Sequence, residues 1–211
     1  MTTPIFSDDL DAAPASATAS SSSSSPAARD AAADRTLLRA VLALGVGGFA
    51  LGTGEFVIMG LLPEVAKDIG VSIPQAGHVI SAYAVGVVLG APLLAVLAAG
   101  WRRRTLLIAL MAVFAIGNFA SALAPGYLSL NLMRFLTGLP HGTYFGVAAL
   151  VAASLAPAGK RARAVGLVML GLTGATLVGV PIAAWLGQEF GWRAAFVFVG
   201  AIALLAMVML R

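Results

Sequence analysis

LLRAVLALGVGGFALGTGEFVIMGLL, residues 37–62, decides the fold. It holds only two ionisable side chains, Arg39 near its start and Glu55 near its end. A helix on the surface of a soluble domain would show a polar stripe every 3.6 residues, and this stretch has none. As a helix rising about 1.5 Å per residue it would exceed the roughly 30 Å of a bilayer's hydrocarbon core. Five more apolar runs follow, at about residues 74–98, 105–123, 127–153, 162–186 and 193–210. Each is long enough to cross the same core. No polar helices remain that could cover them in water, so the sequence predicts an all-α membrane protein of six transmembrane helices.

Composition agrees. The 211 residues are 60% hydrophobic and 10% charged, against roughly 45–50% and about 25% in an ordinary soluble domain. Mean hydropathy is +0.96. Eight of the 22 charges fall within residues 1–39, leaving fourteen for the rest. Residues 1–34 are rich in Ala, Ser, Pro and Asp, with serine unbroken from Ser20 to Ser25. Such a segment buries too little apolar surface to offset its ordering entropy, so residues 1–34 are expected to be a disordered tail and residues 35–211 the membrane domain. The tail lacks the basic and apolar regions of a secretory signal. Cysteine is absent, which removes disulfides, thiolate metal sites and cysteine nucleophiles; no metal or cofactor is expected.

The breaks between runs have their own chemistry. Ser72-Ile73-Pro74-Gln75 has the spacing of a capping box. Ala124-Pro125-Gly126 reads as a tight turn, Pro157 and Gly159 interrupt the chain, and Gly187 and Gly191 are expected to bracket the last connection. With six alternating helices, Arg29, Arg35, Arg39, Arg102, Arg103, Arg104, Lys160, Arg161 and Arg163 share one side. Only Lys67 and Arg193 lie on the other. The positive-inside rule places the basic side, and both termini, in the cytoplasm. It also accounts for the basic pI without nucleic acid.

Three side chains inside the runs are candidates for a functional pathway. Glu55 and Arg134 each lie seven residues from the outer end of their run, about 10 Å inside the boundary. An unpaired charge at the centre of a membrane helix costs roughly 2.5–3.5 kcal/mol on insertion scales. Glu55 and Arg134 are therefore expected to meet directly or through water; a structural ion pair and a snorkelling Arg134 are the bland alternatives. His141 follows Pro140 near mid-membrane. It reads either as a proton relay or substrate donor, or as a neutral ring bonded to a carbonyl that the proline frees. His78, at the outer start of the second run, needs no function. Glycines at small-xxx-small spacing (Gly48 and Gly52; Gly86 and Gly90; Gly138, Gly142 and Gly146) are expected at close helix contacts. The arginine and lysine clusters read first as topology determinants and anionic-lipid contacts. There is no helical zinc motif, no phosphate-cradling Gly-rich loop and no Gly-x-Ser-x-Gly elbow, so a membrane enzyme has little support.

Four blocks in order carry a family resemblance. They are Gly54-Glu55-Phe56-Val57-Ile58-Met59-Gly60-Leu61-Leu62-Pro63-Glu64; Gln75-Ala76-Gly77-His78 through Gly90-Ala91-Pro92; Arg134-Phe135-Leu136-Thr137-Gly138-Leu139-Pro140-His141-Gly142; and Gly171-Leu172-Thr173-Gly174 followed by Gly179-Val180-Pro181. Together they resemble the N-terminal six-helix half of a major facilitator superfamily transporter, most of all the drug:proton antiporter-1 group with its arabinose or sugar efflux permeases. The resemblance implies two inverted three-helix repeats and proton-coupled efflux of a small solute, sugar or drug, across the bacterial inner membrane by alternating access. It associates Arg134 with proton coupling and Gly174, Gly179 and Pro181 with an antiporter motif. The loop after the second run keeps the family's basic Arg103 and Arg104. Ala99 stands where an Asp is expected and Arg102 where a Gly is expected. The chain is about half a complete member, so the alternative reading is a fragment, or a half that needs a second six-helix half from the same full-length chain or another subunit.

Overall fold

The computed structural model describes residues 26–211, with side chains from Asp34 onward. Among the described residues, eight of nine α-helices build six membrane-length rods. The first rod is α1 (Pro26–Phe56) extended by a 3-10 turn, Val57–Gly60. It begins earlier than the sequence suggested: residues 26–34, assigned to the tail, are helical. Five alanines between Ala27 and Ala33 explain this, since alanine has the highest helix propensity. The remainder of the expected tail, residues 1–25, lies outside the described residues.

After Gly60 the chain bends into a short helix, α2 (Leu62–Ile69), with Pro63 in its first turn. Leu62, Val65, Ala66 and Ile69 share one face, and Glu64, Lys67 and Asp68 the other. The first apolar run therefore ends before Leu62, which belongs to this amphipathic helix. Gly70, at φ +70°, closes α2 in the left-handed conformation. The second rod opens with α3 (Ile73–Ala76), where the expected capping box forms: Ser72 N–H donates to Gln75 Oε1 (3.0 Å) and Gln75 N–H to Ser72 Oγ (3.4 Å). It continues as α4 (His78–Leu97). The third and fourth rods are α5 (Arg103–Ala122) and α6 (Tyr127–Leu155).

The fifth rod is α7 (Arg161–Gly174) and α8 (Val180–Phe190), joined by one π-helical turn, Ala175–Gly179. Pro181 supplies the cause. It has no N–H to donate and its ring crowds the carbonyl four residues back, so the ladder is displaced for one turn. Gly174 and Gly179 stand at the two ends of that turn. The sixth rod is α9 (Trp192–Met209), entered through Gly191 at φ +91°. Gly187 does not bracket the loop. It lies inside α8, where an added Cβ would stand 2.5 Å from Leu61 Cδ1.

The largest helix contacts are α4 with α6, α5 with α9 and α1 with α7, followed by α5 with α6 and α1 with α9. Exchanging the first rod with the fourth, the second with the fifth and the third with the sixth maps this pattern onto itself. That is the signature of two three-helix repeats. The fourth rod runs opposite to the first: Tyr144 bonds Leu44 while Arg134 bonds Gly54. The repeats are thus inverted.

Glycine sets the two symmetry-related crossings. At α4 with α6, Cβ atoms on Gly86, Gly90 and Gly138 would run into the backbone carbonyls of Phe135, Leu139 and Tyr83. At α1 with α7, a Cβ on Gly171 would run into the Gly45 carbonyl, and one on Gly52 would lie 2.6 Å from Leu172 Cδ1. Lipid provides no hydrophobic force between helices, so this close packing is what holds them. Gly146, the third member of its series, faces open space.

One ionic clamp gathers the three loops at the end opposite the arginine clusters. Asp68 accepts from Arg193 and from the Trp192 indole N–H (3.0 Å). Arg193 also donates to the Ala124 carbonyl (3.2 Å) and lies 4.3 Å over the Trp192 ring.

Two outcomes follow. Gly90→Val should cost several kcal/mol, at or above the roughly 1–3 kcal/mol typical of overpacking, and lower the melting temperature of the detergent-solubilised protein clearly; Gly146→Ala should leave it unchanged. Arg193, and after it Trp192, hold the Asp68 carboxyl below the usual carboxylate range. A depressed folded-state pKa contributes stability above the ordinary carboxylate value, and that stability is lost as pH falls through the folded value. Melting curves from neutral to strongly acidic pH should show an acid loss that is smaller in Asp68→Asn.

Candidate functional site

The charged and polar side chains singled out in the sequence converge, with one substitution of partners. Arg134 on α6 is fully buried. It sits between two apolar clusters, one containing Tyr83 and Phe114 and the other containing Phe196 and Leu130. Its Nη2 donates to the Gly54 carbonyl at 3.0 Å. Its guanidinium lies 4.3 Å from the centre of the Tyr83 ring and 5.4 Å from that of Phe196. Aromatic faces attract a cation, and more strongly when water is excluded. Nε and Nη1 have no hydrogen-bond partner.

Glu55 follows Gly54, so the expectation that Glu55 and Arg134 lie at one depth agrees with this geometry. Of the two forms expected, direct or through water, the direct ion pair is not formed. Within ion-pair distance Glu55 Oε2 meets His141 Nε2, at 3.7 Å. His141 Nδ1 is 2.8 Å from the Tyr83 hydroxyl, and the two rings meet edge-on. The Tyr83 ring lies over the guanidinium's face, and the imidazole about two turns farther along α6 is the group within reach of the carboxylate. His141 does not use a carbonyl freed by Pro140.

The four groups form a gradient of exposure: Arg134 is 0% exposed, Tyr83 2%, His141 12% and Glu55 30% at the side chain. Tautomer logic fixes what the line can do. When the Tyr83 hydroxyl donates to Nδ1, the imidazole carries its proton on Nε2, toward Glu55. In that tautomer Nε2 presents its N–H to the Glu55 carboxylate and has no free lone pair for a proton coming from it.

Local sequence explains each placement. A Cβ on Gly54 would stand 2.8 Å from Phe114 Cζ and 2.9 Å from Val199 Cγ1; glycine lets α1 approach α5 and α9 and exposes its carbonyl to Arg134. Beside it, Asn118 donates to the Phe114 carbonyl (2.8 Å) and keeps an unpartnered Oδ1. Tyr83 and Asn118 escaped the sequence reading. The available signal was a tyrosine in the middle of an apolar run, whose buried hydroxyl needs a partner. Gly179 packs on Phe49, its Cβ position 2.8 Å from Cζ; Gly174 and Pro181 flank the π turn and make no contact with Glu55, His141, Tyr83 or Arg134. Arg103 and Arg104 lie at the basic end, Arg104 Nε donating to Leu210 O at 2.9 Å. His78 Nδ1 is 2.6 Å from the Tyr127 hydroxyl, at the surface. No group of three metal-ligating side chains occurs among the described residues.

Six membrane-length rods in two inverted repeats, with ionisable side chains facing one another inside the bundle, define a polytopic helical membrane protein. The Major Facilitator Superfamily profile matches residues 44–211, and the chain belongs to that family. It is similar to the inner membrane transport protein YdhP of Escherichia coli (strain K12), with 51% identity over 170 residues, covering 81% of this chain and 44% of the relative. It is also similar to the putative transporter AraJ of the same organism, with 42% identity over 172 residues, 81% of this chain and 44% of the relative. Among solved structures it is similar in fold to the proton:xylose symporter XylE bound to 6-bromo-6-deoxy-D-glucose, at TM-score 0.76 and 19% identity, covering 84% of this chain and 44% of that one. The chain thus spans less than half the length of these relatives.

Arg134 is undersatisfied for a buried cation, and replacing such a charge by an apolar side chain of similar volume is often neutral or stabilising. Arg134→Met should melt no lower than the wild-type protein, while Arg134→Ala melts lower because it leaves a cavity. A large loss of stability in both would make Arg134 a structural residue.

Proposed function

We propose that this chain is the N-terminal half of a secondary transporter that exports a small solute, sugar or drug, in exchange for protons. The observation that carries the reading is the line Glu55–His141–Tyr83 backed by the buried Arg134. In this reading Glu55 takes up and releases the proton, His141 relays it or contacts substrate, and Arg134 keeps the site from holding a proton and a cationic substrate together. Alternating access needs two bodies that rock about a site between them. The share of each relative that the chain covers supports its being one of the two. The second six-helix half would come from the same full-length chain or from another subunit. The excess of basic residues at one end supports cytoplasmic termini, and similarity to YdhP supports the inner membrane.

The π turn fits the same reading. It places the irregular turn of the fifth rod against Phe49 and Thr53 of α1, on the same helix as Glu55 and shortly before it. A rod loosened there can bend as the bundle rocks.

The test uses the protein together with its second half, reconstituted into proteoliposomes with an imposed pH gradient and an entrapped pH dye. Solutes from a panel of neutral sugars and amphipathic drugs are added in turn. An exchanged solute should release protons at a rate that falls at least about tenfold, the size of effect expected for loss of one proton-transfer group, in Glu55→Gln and His141→Gln. Solute movement without proton movement in wild type, or unchanged rates in both variants, would overturn the proton-exchange reading.

A further inference from the structure

Two cavities at the basic end share one wall residue. The first, of about 560 Å³, opens among α1, α5, α6 and α9. Arg39, Arg103, Arg104 and Arg211 line its rim, Leu107 and Leu155 lie among its apolar lining, and no acidic side chain lines it. Neither Arg39 nor Arg103 has a hydrogen-bond or ion-pair partner among the described residues. The N-terminus of α5 opens at the same place. Its cap residue Arg102 contributes no side-chain hydrogen bond, and its first turn holds no acidic residue. A 20-residue helix presents partial positive charge and free N–H groups at such an end.

The second cavity, of about 390 Å³, is a groove between α4 and α6. Ala91, Ala95, Gly142 and Gly146 make it narrow-walled and apolar, and Trp101 and Arg103 stand among its lining. It exists because these residues lack bulk: a Cβ on Gly146 would meet nothing within 4 Å. Trp101 is 54% exposed, at the level where the amphipathic indole ring favours the headgroup boundary.

A free inorganic anion would use only the first cavity, and a neutral hydrocarbon only the second. Arg103 stands in the wall of both. We propose that the two together form a binding site for an acidic phospholipid, its phosphate held by Arg39, Arg103, Arg104 and the end of α5, and one acyl chain laid in the Ala/Gly groove beside Trp101. Charge complementarity at the rim and the unfilled groove below it select an amphiphile with an anionic head. The other basic cluster does not repeat the arrangement: its cavity, of about 190 Å³, is lined by Lys160 and Arg163 together with Asp34, which offsets their charge.

The experiment uses the full chain in phosphatidylcholine vesicles, with Trp185→Phe and Trp192→Phe so that Trp101 is the single tryptophan reporter. A minority of the lipid carries brominated acyl chains, on phosphatidylglycerol in one arm and on phosphatidylcholine in the other. Brominated phosphatidylglycerol should quench Trp101 at a much lower mole fraction. Arg103→Gln with Arg104→Gln should weaken this preference on the order of tenfold, given that each basic residue near a membrane surface contributes about a fivefold effect. Gly146→Leu, which fills the groove and leaves every arginine in place, should reduce quenching by both lipids. Lys160→Gln with Arg163→Gln should leave it unchanged. Added inorganic phosphate should not compete. Equal quenching by the two lipids, an equal effect of the Lys160/Arg163 variant, no effect of Gly146→Leu, or displacement by inorganic phosphate would each overturn the proposal.

Discussion

A guanidinium shut away from water is the constraint around which this bundle is arranged. Arg134 has one carbonyl and two aromatic faces for company, and two of its nitrogens go unpartnered. Each feature near it can be read as an accommodation. Gly54 lends its carbonyl because a side chain there would collide with Phe114 and Val199. Tyr83 presents its ring to the cation and its hydroxyl to His141, so one residue contacts both the guanidinium and the imidazole. Glu55 remains at the exposed margin of the group, where a carboxylate can still exchange protons.

The packing that brings these residues together is built twice. The crossing of α4 with α6 and that of α1 with α7 are related by the same exchange of rods, and both rely on glycines touching a carbonyl on the facing helix. The first crossing carries Tyr83 past Arg134 and His141. The second carries the π turn past Phe49 and Thr53. One crossing thus supports the ionic line and the other a weak point in the fifth rod, and α1 connects them.

Much of the fold was legible because hydrocarbon-length apolar runs have few alternatives. The six rods, the capping box at Ser72 and the turn at Pro125 follow from run length and local chemistry. Where the reading missed, a local rule met a tertiary one. Leu62 looked like the end of a membrane run and proved to be the apolar face of α2. Gly187 looked like a loop glycine and proved to be a packing glycine under Leu61. Pro181 announced a disturbed helix, but nothing in composition specifies a π turn over a kink. In the site, Glu55, Arg134 and His141 stood out because ionisable groups are rare at that depth. The pairing did not, because a tyrosine stacks its ring on the guanidinium and gives its hydroxyl to the imidazole, and the acceptor for the arginine is a backbone carbonyl.

If Glu55, His141, Tyr83 and Arg134 act as one connected group, the imidazole at its centre should report changes at either end. Nitrogen NMR of histidine-labelled protein in nanodiscs, with His78→Asn removing the only other signal, reads the protonation of the two ring nitrogens of His141 separately. Tyr83→Phe should shift Nδ1, Glu55→Gln should shift Nε2, and in the wild-type protein Nδ1 should accept. A spectrum with the proton on Nδ1, or one that neither substitution moves, would contradict that connection.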